Sequence, residues 1–207
     1  MKKLLFTLLA LPLILGSFTS SEEKGFEIGD RAPLLNYEMN SCLGGNVSLE
    51  KSMDKSGLVV IFSCNTCPFV VGSESFAGWE KQYNDLHQYA TDNGLGFVLV
   101  NSNEAKREGD DSFTEMRMHA NDKGYKMHYL VDKDSKLANA FGAKTTPHVF
   151  VLNTNFELVY RGSIDNSWDT KRKKDLDYLK PAINELVSGK KISTPESAPK
   201  GCSIKRI

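Results

Sequence analysis

Apolar positions along the chain fall into short runs separated by polar turns. After an N-terminal apolar stretch, Phe26–Pro33 shows a short alternation ending in a turn, and Val47–Leu49 a second short strand after Gly44-Gly45-Asn46. Leu58–Phe62 is apolar at every position, the pattern of a strand covered on both faces. From about Asn65 to Ala90 the spacing changes: Phe69, Phe76, Trp79, Tyr83, Leu86 and Ala90 recur at helical steps, which predicts one long helix that Gly72 and Gly78 weaken and bend. Phe97–Val100 and Met127–Val131 read as further strands. Between them, Ser112 and Glu115 form a capping box for a helix over Phe113–Asp122. A short helix, Ser135–Phe141, stops at Gly142. Val149–Leu152 and Glu157–Tyr160 form a hairpin, and a last helix spans about Lys173–Val187, with Pro181 kinking it or resetting its start.

Strands that alternate with helices imply an α/β domain with a largely parallel central sheet, right-handed crossovers and a terminal antiparallel hairpin. The first residues stand outside it. Met1-Lys2-Lys3 is basic, Leu4–Leu15 is apolar except at Thr7 and Pro12, and small residues follow from Gly16 to Ser21. This reads as a secretory signal peptide over residues 1–20, too short to span a bilayer comfortably. The expected division is a leader (1–20), one domain (21–190) and a polar tail (191–207). The mature protein is expected to be exported to the periplasm, monomeric and not inserted in a membrane. Net charge is zero over 207 residues, and the basic cluster Lys171–Lys174 is balanced by Asp169, Asp175 and Asp177, so a nucleic-acid partner is not expected.

Four cysteines change the picture: Cys42, Cys64, Cys67 and Cys202. Cys64 and Cys67 are two residues apart, directly after an apolar strand and at the predicted start of a helix. A bridge that closes so small a loop adds little stability, so the spacing points to redox chemistry. A helix starting near Asn65 would aim backbone N–H groups at Cys64. Cys64 is therefore the expected nucleophile and Cys67 the resolving thiol. Zinc would need a second pair of ligands, and haem attachment a His where Pro68 stands; no metal and no cofactor is expected. Asn65 and Thr66, between the cysteines, would tune the couple. Cys42 and Cys202 admit three readings: a structural disulfide, free thiols, or Cys202 folded back as a third redox thiol near Cys64.

The element order, Cys64-Asn65-Thr66-Cys67-Pro68 and Thr146-Pro147 before the hairpin together resemble the thioredoxin fold. Ile28-Gly29-Asp30-Arg31-Ala32-Pro33 is similar to the opening of its peroxiredoxin-like (AhpC/TSA) branch. Further marks are Asn101-Ser102-Asn103, Tyr160–Asn166 and Gly201-Cys202-Ser203-Ile204-Lys205. The resemblance implies a central mixed sheet flanked by helices, with an N-terminal extension and an inserted strand–helix segment. It implies a cis Pro147, with Thr146 pairing to an extended substrate, and makes Asn101 and Asn103 accessory candidates. Two departures stand out. Leu58 occupies the place of thioredoxin's buried acid, six residues before the first cysteine, which leaves Glu80, Glu104 and Asp165 as substitutes. Cys64 occupies the place of the hydroxyl residue that peroxiredoxins carry three residues before their reactive cysteine. The expected function is exported thiol–disulfide exchange with a protein or small-molecule disulfide and a thiol electron donor. The alternatives are a thiol peroxidase and a metal- or copper-binding module.

Overall fold

A computed structural model describes residues 25–207; the expected leader, 1–20, lies outside the described residues. The fold is organised on β3, Gly57–Ser63, buried at all seven positions. On one side it pairs in parallel with β4, Leu95–Asn101, which pairs in parallel with β5, His128–Val131. On the other it pairs antiparallel with β7, His148–Leu152, which forms the hairpin with β8, Leu158–Gly162. The sheet order is therefore β5-β4-β3-β7-β8.

Alternate side chains of β3 enter two cores, which is why the run is apolar throughout. Val59 and Ile61 meet Tyr83, Leu86 and Ala90 of α3 (Tyr83–Asp92), Met116 and Ala120 of α4 (Phe113–Asp122) and Ile183 of α6 (Leu179–Val187). Leu58, Val60 and Phe62 meet Leu49 of α1 (Leu49–Ser52), Leu137, Ala138 and Phe141 of α5 (Lys136–Phe141), and Phe26. Phe62 and Phe150 pack edge to face, with centroids 5.5 Å apart.

Several expected elements differ. Phe26–Pro33 forms no strand; Arg31 alone makes a bridge, to Glu157. Of Val47–Leu49, only Val47 is in a strand: β1, Met39–Asn40, pairs with β2, Asn46–Val47, while Ser48 caps α1 by accepting from the Lys51 N–H. The long helix is broken into α2 (Pro68–Val71), a 3-10 turn (Trp79–Gln82) and α3. Gly72 and Gly78, at φ 101° and 78°, make the break. A Cβ on Gly78 would lie 2.4 Å from Gly72 N and Val70 O, so the two glycines close a tight loop rather than bend a helix. The last helix begins at Leu179, not Lys173. Pro181 then falls in its first turn, where its missing N–H has no intrahelical partner to lose, and Leu176 is left exposed. The helix over Phe113–Asp122 forms where expected, with Ser112 Oγ accepting from the Glu115 N–H at 3.3 Å.

The tail returns to the domain. β9, Cys202–Ser203, pairs antiparallel with β6, Thr145–Thr146. Lys200 lies over the Phe69 and Trp168 rings, and Ser197 Oγ bonds with Tyr160 OH.

Gly96 of β4 runs against α1, where a Cβ would lie 1.8 Å from the Ser52 carbonyl oxygen. Gly96→Ala should therefore lower stability by about 1–3 kcal/mol, the usual cost of overpacking. Urea unfolding followed by circular dichroism should show a lower midpoint with an unchanged slope.

Candidate functional site

β3 delivers Cys64 to the end of the sheet, and Cys67 is the N-cap residue of α2. Both thiols are buried, at 2% and 4% exposure. The Thr146–Pro147 peptide is cis, and Thr146 addresses both cysteines. Its hydroxyl lies 3.1 Å from Cys64 Sγ, and its carbonyl accepts from the Cys67 S–H at 3.0 Å. The two thiols hydrogen-bond to each other. Cys202 completes the cluster: its N–H donates to Cys67 Sγ at 3.3 Å, and its thiol bonds to the same sulfur. A cavity of about 180 Å³ is lined by the three cysteines together with Thr66, Asn103, Thr146 and Lys205.

The helix starts at Pro68 rather than near Asn65, so backbone N–H groups reach Cys67 from Phe69 and Cys202, while Cys64 meets the Thr66 N–H and the Thr146 hydroxyl. The Cys64 S–H, the Cys202 thiol and N–H, and the Phe69 N–H outweigh burial and bring the Cys67 thiol down to about 5. The Thr146 carbonyl accepts the S–H hydrogen bond when Cys67 is a thiol. Cys64 moves the other way, pushed well above the usual thiol range because it donates to Cys67 and is buried. Within this coupled pair, hydrogen bonding therefore lowers Cys67 and raises Cys64.

The residues between and around the cysteines are fixed by a buried polar network. Asp111, fully buried, accepts from the Asn65 N–H (2.9 Å), Asn101 Nδ2 (2.7 Å) and Asn103 Nδ2 (2.9 Å). Tyr129 OH donates to Asn65 Oδ1 and accepts from Asn101 Nδ2, both at 2.9 Å. Burial, with the charge of Asp111 adding to it, holds that phenol well above its usual range, so it stays a donor. Arg107 donates to the backbone carbonyls of Asp111 (2.6 Å) and Asn101 (3.0 Å). Asn103 Oδ1 accepts from the Lys205 N–H at 2.9 Å, which ties the tail to the same network.

Asn65, Asn101 and Asn103 therefore support the site through Asp111, and Thr66 lines its cavity. The carboxylates expected to stand in at Leu58 are engaged elsewhere. Glu80 is bonded to Tyr125 and His119, Glu104 to Arg107, and Asp165 to Trp79, Gln82 and Ser167. Asp111 escaped sequence reading because it is one acid among Glu108, Asp110 and Asp111 in a polar loop. Tyr129 and Arg107 carried no motif either. Cys42 does not join Cys202: its N–H donates to the Tyr129 carbonyl, and burial pushes its thiol up to about 11 against the pull of Arg117.

The Redoxin family model matches residues 27–179. No curated protein matches the chain. Among solved structures, an uncharacterized conserved protein from Geobacillus kaustophilus is 28% identical, with a TM-score of 0.77 over 88% of this chain and 93% of that one. A hypothetical protein from Sinorhizobium meliloti is 27% identical, with a TM-score of 0.76 over 89% of this chain and 97% of that one. The peroxidoxin BcpB from Mycobacterium tuberculosis, 15% identical, has a TM-score of 0.56 over 79% of this chain and 97% of its own; it shares the thioredoxin-like fold.

Ultraviolet titration of the reduced protein should show one thiolate forming as the pH rises through about 5. Cys67→Ser should remove that transition. Cys64→Ala should move it upward, because the S–H donor that contributes most to the shift is lost.

Proposed function

The chain belongs to the Redoxin family and is a thioredoxin-like redox protein, and from that premise we propose that it is an exported thiol–disulfide oxidoreductase working through Cys64 and Cys67. The observation that carries this reading is the buried thiol pair bonded on both sulfurs to Thr146, one thiol lowered and the other raised. Cys67, as thiolate, attacks one sulfur of a substrate disulfide. A Cys67–substrate bond forms, the substrate disulfide breaks, and the departing sulfur takes a proton. Cys64 then attacks Cys67, and the second substrate sulfur leaves with the proton Cys64 gives up. The protein is left with a Cys64–Cys67 disulfide, which an external dithiol donor reduces by the same steps in reverse order. Thr146–Pro147 forms the edge on which an extended substrate is presented. The partners are a protein or small-molecule disulfide and a thiol donor. The basic, apolar run at 1–20 supports export.

A second reading is favoured by one observation. Cys64 sits three residues before Cys67 and donates to it, as the hydroxyl of a peroxiredoxin would to its reactive cysteine. In that reading the oxidant is a peroxide and Cys67 passes through a sulfenic acid, which Cys64 resolves as a disulfide with loss of water.

With dithiothreitol as donor, the purified protein should accelerate reduction of insulin disulfides. Cys67→Ser should fall to the uncatalysed rate, and the double variant Cys64→Ser, Cys202→Ser should accumulate a mixed disulfide at Cys67, visible by mass. Undiminished turnover in Cys67→Ser would sink the assignment. Peroxide consumption that outruns insulin reduction by the same preparation would select the peroxidase reading instead.

A further inference from the structure

The place that the proposed function gives to a substrate strand is occupied by the chain's own tail. Cys202 pairs with Thr146, the residue before Pro147, and Ser203 pairs with Thr145. Gly201 passes so close that a Cβ would lie 2.2 Å from the Thr146 carbonyl oxygen. Further along, the Lys205 N–H is held by Asn103 Oδ1, its carbonyl accepts from the Ala105 N–H at 2.8 Å, and Arg206 donates to the Ala143 carbonyl and Asn139 Oδ1. The thiol this segment presents is the one that touches Cys67.

We propose that Cys202 is a third redox thiol, and that the tail is an intramolecular substrate whose cysteine takes over the disulfide from Cys64. The inference rests on the exchange chemistry assigned to Cys64 and Cys67 and extends it by one step. The Cys202 thiolate attacks Cys67 Sγ in the Cys64–Cys67 disulfide. A Cys67–Cys202 bond forms and the Cys64–Cys67 bond breaks. The electron pair stays on Cys64, which takes the proton that Cys202 released. Oxidation state is unchanged, so no further oxidant or reductant enters.

The electrostatics time the step. In the reduced protein Cys202 is pushed up to about 11 by burial and by its contacts with Cys67, with Lys205 opposing. Once Cys67 is bonded in a disulfide it carries no charge and accepts no proton from Cys202. Two of the causes that hold Cys202 in the thiol form then disappear, and its nucleophilicity rises. Electrons from an external donor would thus reach the buried pair through a half-buried thiol on a removable strand. A bulky disulfide substrate must lift that strand from Thr146 before it can pair there.

The test uses full-length Cys64→Ser protein, oxidised with diamide, quenched with N-ethylmaleimide, digested and mapped by mass spectrometry. The expected product is a Cys67–Cys202 disulfide with Cys42 alkylated. Gly201→Val, with an unchanged circular dichroism spectrum, should show loss of that product in the same background, since the side chain forces the tail off Thr146. Alkylated Cys202 in oxidised Cys64→Ser protein, with Cys67 found only in sulfenic or intermolecular form, would overturn the inference. Oxidised wild-type protein separates the two levels. A Cys64–Cys67 disulfide without any Cys67–Cys202 species overturns the role of Cys202 alone. The absence of both overturns the exchange chemistry as well.

Discussion

Thr146 is the residue on which the site depends. Its hydroxyl meets Cys64, its carbonyl meets Cys67, and its backbone pairs with the strand that carries Cys202. No helix or strand by itself brings these three sulfurs together. Cys64 arrives at the end of β3, Cys67 at the cap of a four-residue helix, and Cys202 from a tail that has crossed back over the domain. Thr146 can serve all three because it precedes the hairpin strand β7, whose register against β3, Ile61 opposite Val149 and Phe62 opposite His148, fixes it at the end of the sheet. Burial then makes the arrangement consequential, because a charge on one sulfur is felt by its neighbours with little screening from water.

The second constraint is the buried carboxylate of Asp111. Burying an acid is costly unless its oxygens are hydrogen-bonded, and here three N–H donors from Asn65, Asn101 and Asn103 meet that demand. Among the described residues, no buried side-chain nitrogen or oxygen lacks a partner. The network converts an asparagine between the cysteines, a strand end and a loop into one rigid wall. It does so without placing a carboxylate where Leu58 stands in the strand, so the route by which protons reach the thiols differs from the one thioredoxin's buried acid would supply.

Where the sequence was legible, a simple periodicity carried the information. β3, β4, β5 and the hairpin are apolar runs at the spacing of a sheet covered on both faces, and α4 is framed by a capping serine. The Cys64–Cys67 pair and Thr146-Pro147 were recognisable because their spacing and order have a chemical meaning. Failures came where backbone conformation overrode the apolar pattern. Phe69, Phe76, Trp79 and Tyr83 keep helical spacing, yet positive φ at Gly72 and Gly78 folds their segment into a loop between two short helical pieces. The first helix also starts at Pro68, past both cysteines, rather than near Asn65. Asp111 illustrates a different limit: which of several acids in a polar loop turns inward is decided by N–H donors of Asn65, Asn101 and Asn103, which no pattern within the loop announces.

Cys202, Ser203 and Lys205 form one wall of the cavity. With that wall lifted away, Thr146 would have an unpaired backbone edge and Cys67 would lose the N–H donor that Cys202 provides. The same tail runs along the outer edge of β8, where the Arg161 N–H donates to the Pro195 carbonyl and the Ser197 N–H to the Arg161 carbonyl, so the segment that closes the dithiol also covers the last strand of the sheet.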